Sequence, residues 1–257
     1  MGGIILLGIE GVLLAFVRFS AFTFSFPLFT QKSVPWQLKI GFSGLLALII
    51  NPPSAPTSSD NLIPWAGLIM QEMLIGFLLA FLVSLVFGII YFTGQLIDVP
   101  IGFGMVSIFD PQTGTQLPIF SKFLDLLAML VFLSIDAHLW IYDALLKSYE
   151  MIPIGSFFTQ EITYEVVIFL GRAIFSVGLQ IALPVMGTIL LTDVALGIVT
   201  RAVPQINVFV IGFPLKISVG LFMIILLIPV YINIIAKLFG YGGLLFQHFT
   251  GMISSVQ

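Results

Sequence analysis

Six apolar stretches, separated by shorter polar or glycine- and proline-rich ones, set the pattern of this chain: 4–26, 38–50, 65–92, 122–146, 164–192 and 216–238. None alternates with the period of two that a membrane barrel strand needs, and most reach the roughly 20 residues with which an α-helix crosses a hydrocarbon core. The pattern predicts an all-α integral membrane protein, with residues 1–257 as a single membrane domain. The second stretch has 13 residues, short for a span, and reads as re-entrant or as one arm of a bent hairpin. After it, Asn51-Pro52-Pro53-Ser54-Ala55-Pro56-Thr57-Ser58-Ser59-Asp60 carries three prolines and no apolar period, which predicts a solvent loop. Pro184 and Pro229 interrupt the last two stretches and read as kinks. Lys122/Asp125 and Asp143/Lys147 stand at helical spacing near the ends of the fourth. The first stretch is too long, and carries Glu10 and Arg18, to be expected as a cleavable signal.

Two connectors depart from ordinary loops. Residues 93–121 hold four glycines and three prolines, yet also Ile101, Phe103, Met105, Val106, Ile108 and Phe109. An apolar segment without helical period is a poor surface loop; non-helical backbone at membrane depth is tolerated only inside protein or along a cavity. The second is 193–214, containing Arg201, Pro204, Gln205, Asn207 and Pro214. A glycine-rich tail begins at Gly240-Tyr241-Gly242-Gly243.

Composition narrows the class. Apolar residues make up 59% of the chain and charged ones 8%, against about one quarter charged in a soluble domain. With a mean hydropathy of +1.18, the chain cannot clothe itself in water-facing surface. A soluble enzyme, a disordered chain and a nucleic-acid binder are set aside as first readings, the last because a net charge of −3 gives no basic footprint. Without cysteine there is no disulfide framework or thiolate site.

Glu10, Arg18, Glu72, Asp125, Asp136 and Arg172 lie in or near the apolar stretches. A charge at the bilayer centre costs at least ~2.5 kcal/mol, so such residues face protein or water and have partners. They could form a proton or ion relay, but their scattered single placement favours pairing between helices or subunits. Glu10 and Arg18, eight residues apart and thus about 12 Å along a helix, cannot pair with each other. Gly41-Phe42-Ser43-Gly44 with His138 mimics an intramembrane serine protease, but the motif is short and the His138 surroundings lack the glycines a close partner helix needs. Two isolated histidines without H-E-x-x-H make no metal site, and no cofactor is implied. A secondary transporter would explain proline-broken helices, although no inverted repeat accompanies them. If all six stretches cross, Lys32, Lys39, Lys122, Arg201 and Lys216 share one side and Lys147 and Lys237 the other, which places both termini outside.

The connectors carry a family resemblance. Phe103-Gly104-Met105 through Asp110-Pro111-Gln112-Thr113-Gly114 to Leu117-Pro118 resembles the D-P-Q-x-G signature of the FliR family of type III export-gate subunits. Asp136-Ala137-His138-Leu139-Trp140, Leu145-Leu146-Lys147-Ser148-Tyr149-Glu150, Ile152-Pro153-Ile154-Gly155, Pro204-Gln205-Ile206-Asn207 and Gly212-Phe213-Pro214-Leu215-Lys216 continue it, collinear over nearly the whole chain. The flagellar branch fits better than the injectisome branch.

The resemblance implies a non-enzymatic subunit in the bacterial inner membrane at the flagellar basal body, assembled with FliP and FliQ and near FlhB and FlhA. Unfolded flagellar proteins would be its substrates. It implies bent helical hairpins, with 1–165 FliP-like, 166–240 a FliQ-like hairpin and 241–257 a tail. It also implies a pore plug at Gly102, Phe103, Gly104, Met105, Val106, Ile108, Phe109, Asp110, Pro111 and Gly114. A cytoplasmic turn would hold Arg201, Pro204, Gln205, Asn207, Pro214 and Lys216, and the six charges would serve as intersubunit contacts.

Overall fold

The computed structural model describes residues 2–30, 34–50, 65–103, 118–155, 164–205, 207–240 and 243. Among these residues it is wholly helical: α1 Gly2–Ser25, α2 Trp36–Ile50, α3 Trp65–Ile101, α4 Ile119–Ser134, α5 Ala137–Met151, α6 Tyr164–Ala202 and α7 Val208–Phe239. The proline-rich loop 51–60, residues 104–117 of the first connector and almost all of the glycine-rich tail lie outside the described residues.

Among the described residues the six apolar stretches become seven helices because the fourth is broken. Ile135 closes α4, its N–H donating to the Val131 carbonyl, and Asp136 then turns left-handed at φ 54° before α5 begins. Aspartate is one of the few residues that visits this region without severe cost. Both expected helix-spaced pairs form, Lys122 with Asp125 at 3.3 Å and Lys147 with Asp143 at 2.7 Å.

Two expected connectors are shorter than their prolines and glycines suggested. Helix α3 continues through 93–101 despite Pro100, and the second connector shrinks to 203–207, since α6 runs to Ala202 and α7 contains Pro214. A proline inside a helix removes one backbone bond and kinks the axis, but in a long packed helix the remaining bonds and the burial outweigh that loss. Threonine and serine hydroxyls occupy carbonyls beside two of the prolines: Thr188 donates to Pro184 and Ser218 to Pro214, both at 2.8 Å.

The chain folds as two compact units. The first comprises Met1–Leu85, Asp136–Ile168 and Tyr241–Gln257; the second comprises Val86–Ile135 and Phe169–Gly240. In the first, α1 and α2 pack together. Leu14, Ala15, Arg18, Phe19, Phe22, Thr23 and Phe26 are all buried on α1. Their spacing draws one helical stripe that faces the core. Around Tyr142 of α5, the rings of Phe22, Phe26 and Phe42 stand edge-on at centroid distances of 6.0, 6.0 and 5.5 Å. That arrangement sets the positive ring edge against the negative face.

In the second unit α4 packs on α7. Phe87, Phe132 and Phe239 form its ring core, with centroids 4.7 to 5.5 Å apart. Thr93 joins α3 to α6 by donating to the Gly178 carbonyl at 3.2 Å.

Three helical segments among the described residues are long and apolar enough to cross a membrane: Trp65–Ile101, Gly171–Ala202 and Val210–Phe239, with the broken α4–α5 pair a fourth if counted as one span. At 1.5 Å per residue the 37 residues of α3 extend about 55 Å, well beyond a ~30 Å hydrocarbon core. Of the apolar windows in α6 and α7 only 28% and 22% are buried, against 56% in α3. Leu183, Leu190, Leu191, Phe222, Ile225 and Leu226 point outward. An apolar surface of that extent needs lipid or another protein beside it, not water.

Candidate functional site

Among the described residues, two buried polar clusters and one exposed turn hold the chemistry. The first cluster centres on Arg18, which the helical period of α1 places on the core stripe between Leu14 and Phe22. Its Nε donates to Glu72 Oε2 at 2.7 Å and its Nη2 to Glu72 Oε1 at 3.1 Å, a two-pronged pair between α1 and α3 with both side chains fully buried. Nη1 donates to Ser148 Oγ and Nη2 also to the Ile152 carbonyl, each at 3.0 Å. The guanidinium sits over the Tyr149 ring, 3.7 Å from Cζ to its centroid. Arg18 thereby satisfies four needs at once: it neutralises Glu72, fixes Ser148, caps the carbonyl end of α5 and stacks on an aromatic face.

The helices meet closely enough for this only because position 76 is glycine. A Cβ there would overlap the Arg18 carbonyl oxygen and touch Ala21.

The second cluster lies at the base of the first connector. Asp98, 5% exposed, sits one turn before the end of α3. Its Oδ1 accepts from the Phe120 backbone N–H at 2.9 Å; its Oδ2 accepts from the Ser121 N–H at 3.1 Å and the Ser121 hydroxyl at 2.8 Å. Helix α4 has no cap of its own, because Pro118 occupies the cap position and offers no side-chain acceptor. The first amides of a helix are orphan donors at the positive end of its dipole, and Asp98 supplies the missing acceptor and the complementary charge from another helix. Gly94, one turn earlier, lets α3 approach the Ser121 backbone where a Cβ would collide with it. Past the end of α3, Gly102 adopts φ 100°, a left-handed turn that glycine enters freely. Phe103 then lays its ring edge-on to Phe120, centroids 5.4 Å apart.

The exposed turn joins α6 to α7. Arg201 lies in the last turn of α6, where a cation complements the carbonyl end, and Val203, Pro204, Gln205 and Asn207 are exposed. The Asn207 carbonyl accepts from the Val210 N–H at 3.1 Å, starting α7. Exposed Pro214 lies within that helix, and Lys216 pairs with Asp193 across the hairpin.

The structure therefore brings together Arg18 and Glu72 among the six charges singled out from sequence, and separates the rest. Glu10 is half-buried, Asp125 joins its helical neighbour Lys122, Asp136 is exposed at the helix break, and Arg172 is exposed on α6. Of the expected plug residues, Gly102 and Phe103 are described; Gly104, Met105, Val106, Ile108, Phe109, Asp110, Pro111 and Gly114 lie outside the described residues. Sequence reasoning missed Asp98 and the close-packed Gly76 and Gly94, and it met Ser148 and Tyr149 only as part of a family motif, without their contact to Arg18. One signal for Asp98 was present: a helix opening Pro118-Ile119-Phe120 has no local capping side chain and must find an acceptor elsewhere. Among the described residues no group of three or more His, Asp or Glu could hold a metal ion.

This is the architecture of a helical membrane protein whose polar groups serve packing and the base of a connector. The model of the family described as bacterial export proteins, family 1, matches residues 9–241. The flagellar biosynthetic protein FliR of Bacillus subtilis (strain 168) is 34% identical over 235 residues, covering 88% of this chain and 89% of its own. FliR of Pectobacterium carotovorum subsp. carotovorum is 34% identical over 219 residues, covering 83% and 82%. The surface presentation of antigens protein SpaR of Shigella flexneri is 32% identical over 157 residues, covering 61% and 60%. The chain belongs to the FliR family of bacterial export proteins. It is a membrane component of the flagellar type III export apparatus, a structural secretion subunit and not an enzyme, and it works in association with other proteins of that apparatus.

Proposed function

We propose that this chain is a core subunit of the export gate in the bacterial inner membrane, forming with FliP and FliQ the channel through which unfolded flagellar proteins leave, next to FlhB and FlhA. Segment 102–118 is its plug. One observation supports this most: a stretch holding Phe103, Met105, Val106, Ile108 and Phe109, with Asp110 as its sole charge, is strung between the ends of two helices in a family of export proteins. Such side chains seal a narrow lumen by dewetting, since an apolar constriction disfavours a continuous water column. Methionine adapts its shape to irregular surroundings. On the same reading residues 1–165 are the FliP-like part and 166–240 the FliQ-like hairpin, and the remaining charges meet neighbouring subunits.

Shortening the segment between Gly104 and Gly114, or replacing Ile108 and Phe109 by serine, is expected to make the resting gate leak ions while the complex still assembles. A connector packed permanently as structure makes the opposite forecast: removing buried bulk costs ~2–5 kcal/mol and the complex fails to form. Ion flux and native-gel mobility, measured on the same variants, separate the two. Lost assembly without leakage defeats the plug assignment.

The turn at 203–207 faces the cytoplasm, in keeping with Arg201 beside it. In a chain without native cysteine, Gln205→Cys is expected to react with a membrane-impermeant thiol reagent from the cytoplasmic side alone. Labelling only from the outer side would reverse this orientation.

A further inference from the structure

Arg172 and Arg201 are both exposed on α6, 29 residues apart. That spacing is about eight helical turns, so the two project from the same side of the helix, about 43 Å apart along its axis. A bilayer with its headgroup regions measures about 40–45 Å. Along the line between them Leu179, Leu183, Leu190 and Val194 are exposed. From 181 to 192, the middle of this stripe, every exposed side chain is apolar. The two threonines there turn their hydroxyls onto their own helix: Thr188 donates to the Pro184 carbonyl at 2.8 Å and Thr192 to the Thr188 carbonyl at 2.9 Å. That stretch offers a neighbouring helix no side-chain hydrogen bond and suits acyl chains. Asp193 and Lys216 set the level of α6 against α7. They pair, and they lie nine residues before Ala202 and eight after Val208. Counted the same way, exposed Lys237 comes level with Arg172, at 29 and 30 residues from those helix ends. Among the described residues no carboxylate pairs with Arg172, Arg201 or Lys237. Guanidinium groups at both ends of an apolar stripe, separated by the distance between two headgroup layers, are complementary to lipid phosphate.

We propose that the outward face of α6 is a phospholipid site. Arg172 and Arg201 each hold a lipid phosphate, one in each leaflet, and Lys237 adds a cation at the level of Arg172. Acyl chains lie along Leu183 and Leu190. Anionic headgroups are favoured over zwitterionic ones, and the two contacts fix the depth at which the hairpin sits in the bilayer. The site needs α6 to cross the membrane and is independent of the channel and its plug. It takes Arg172 out of the charges given above to neighbouring subunits and leaves Glu10 and Asp136 in that role.

The test uses the complete export complex in vesicles of phosphatidylcholine with a minor share of phosphatidylglycerol, one lipid or the other brominated on its acyl chains so that it quenches a fluorophore on contact. This chain has no cysteine, so a thiol-reactive fluorophore can be placed at Leu190→Cys in the middle of the stripe, at Ser176→Cys beside Arg172 or at Ile198→Cys beside Arg201, with the complex lacking the introduced thiol as background. At 190, brominated phosphatidylcholine is expected to quench strongly. At 176 and 198, brominated phosphatidylglycerol is expected to quench beyond its share of the lipid. Arg172→Gln should lower that preference about fivefold at 176 alone, and Arg201→Gln at 198 alone, the weight of one basic residue at an anionic surface. Where a glutamine variant does not assemble on native gels, salt replaces it: screening is expected to abolish the preference in the native-arginine complex and leave quenching at 190 unchanged. Inorganic phosphate, compared with chloride at equal ionic strength, should not displace the lipid; if it does, the arginines hold free phosphate and the lipid site fails. A preference that is absent, or that survives both the arginine changes and salt, overturns the proposal. So does a fluorophore at 190 shielded from both lipids: a protein helix then covers α6, and Arg172 returns to the neighbouring subunits with that reading intact.

Discussion

Replacing Arg18 by leucine is expected to destabilise the protein by about 3–5 kcal/mol, the cost of stranding one partner of a buried ion pair. Glu72 would be left fully buried without the guanidinium that donates to it and balances its charge, Ser148 and the Ile152 carbonyl would each lose a donor, and the Tyr149 face would lose its cation. The penalty comes from the stranded carboxylate more than from the worth of the pair, and this gives the prediction its second arm. Replacing Glu72 by leucine in the same molecule removes the uncompensated charge, so the double variant is expected to be more stable than either single one. Arg18→Lys should fall between native and leucine, because an ammonium keeps the charge but cannot reach Glu72 in two-pronged fashion while also serving α5. Thermal melting of the detergent-solubilised complex, arranged as a double-mutant cycle, measures all of this. Equal losses in the single and double variants would show that the pair itself stabilises the fold and that stranding is not the cause.

The second large effect concerns three glycines on one helix. In α3, a Cβ at Gly76 would overlap the Arg18 carbonyl and one at Gly94 would overlap the Ser121 backbone, whereas at Gly88, its own stretch of helix aside, nothing among the described residues lies within 4 Å. Backbone cannot rotate aside as a side chain can. Gly76→Ala and Gly94→Ala must therefore push whole helices apart, at a cost near or above the ~3 kcal/mol upper end of ordinary overpacking. They also drag Arg18 or Asp98 off its partners. Gly88→Ala carries the opposite sign: it removes glycine's entropic penalty inside a helix and is expected to stabilise by roughly 0.5–1 kcal/mol. Melting of the three variants side by side checks the contrast. If Gly88→Ala were as damaging as the other two, close approach within this chain would not be the reason for these glycines.

Much of the protein was legible in the chain because its physics is local. Apolar runs of spanning length, scarce charge and the absence of period-two alternation determine a helical membrane protein without any tertiary information. The two helix-spaced lysine–aspartate pairs follow from the geometry of one turn. The motifs around Asp110-Pro111-Gln112 and Pro204-Gln205 carry the family because short segments retain their order along the chain.

What the chain could not announce is which distant residue answers which. Arg18 and Glu72 were both visible as charges in apolar surroundings, yet 54 residues separate them and nothing in the spacing joins them. Asp98 looked like part of an irregular connector until α3 was found to continue through it, and its partners lie 22 and 23 residues on. Likewise Gly76, Gly88 and Gly94 are indistinguishable as letters; only the packing of α1 against the first half of α3, and of α4 against the second, makes two of them obligatory and leaves the third free. Local propensity and hydropathy act over a few residues and are written in order along the chain. A buried charge or a close helix crossing is resolved by whatever the fold carries to it, and that is fixed only when the helices have packed.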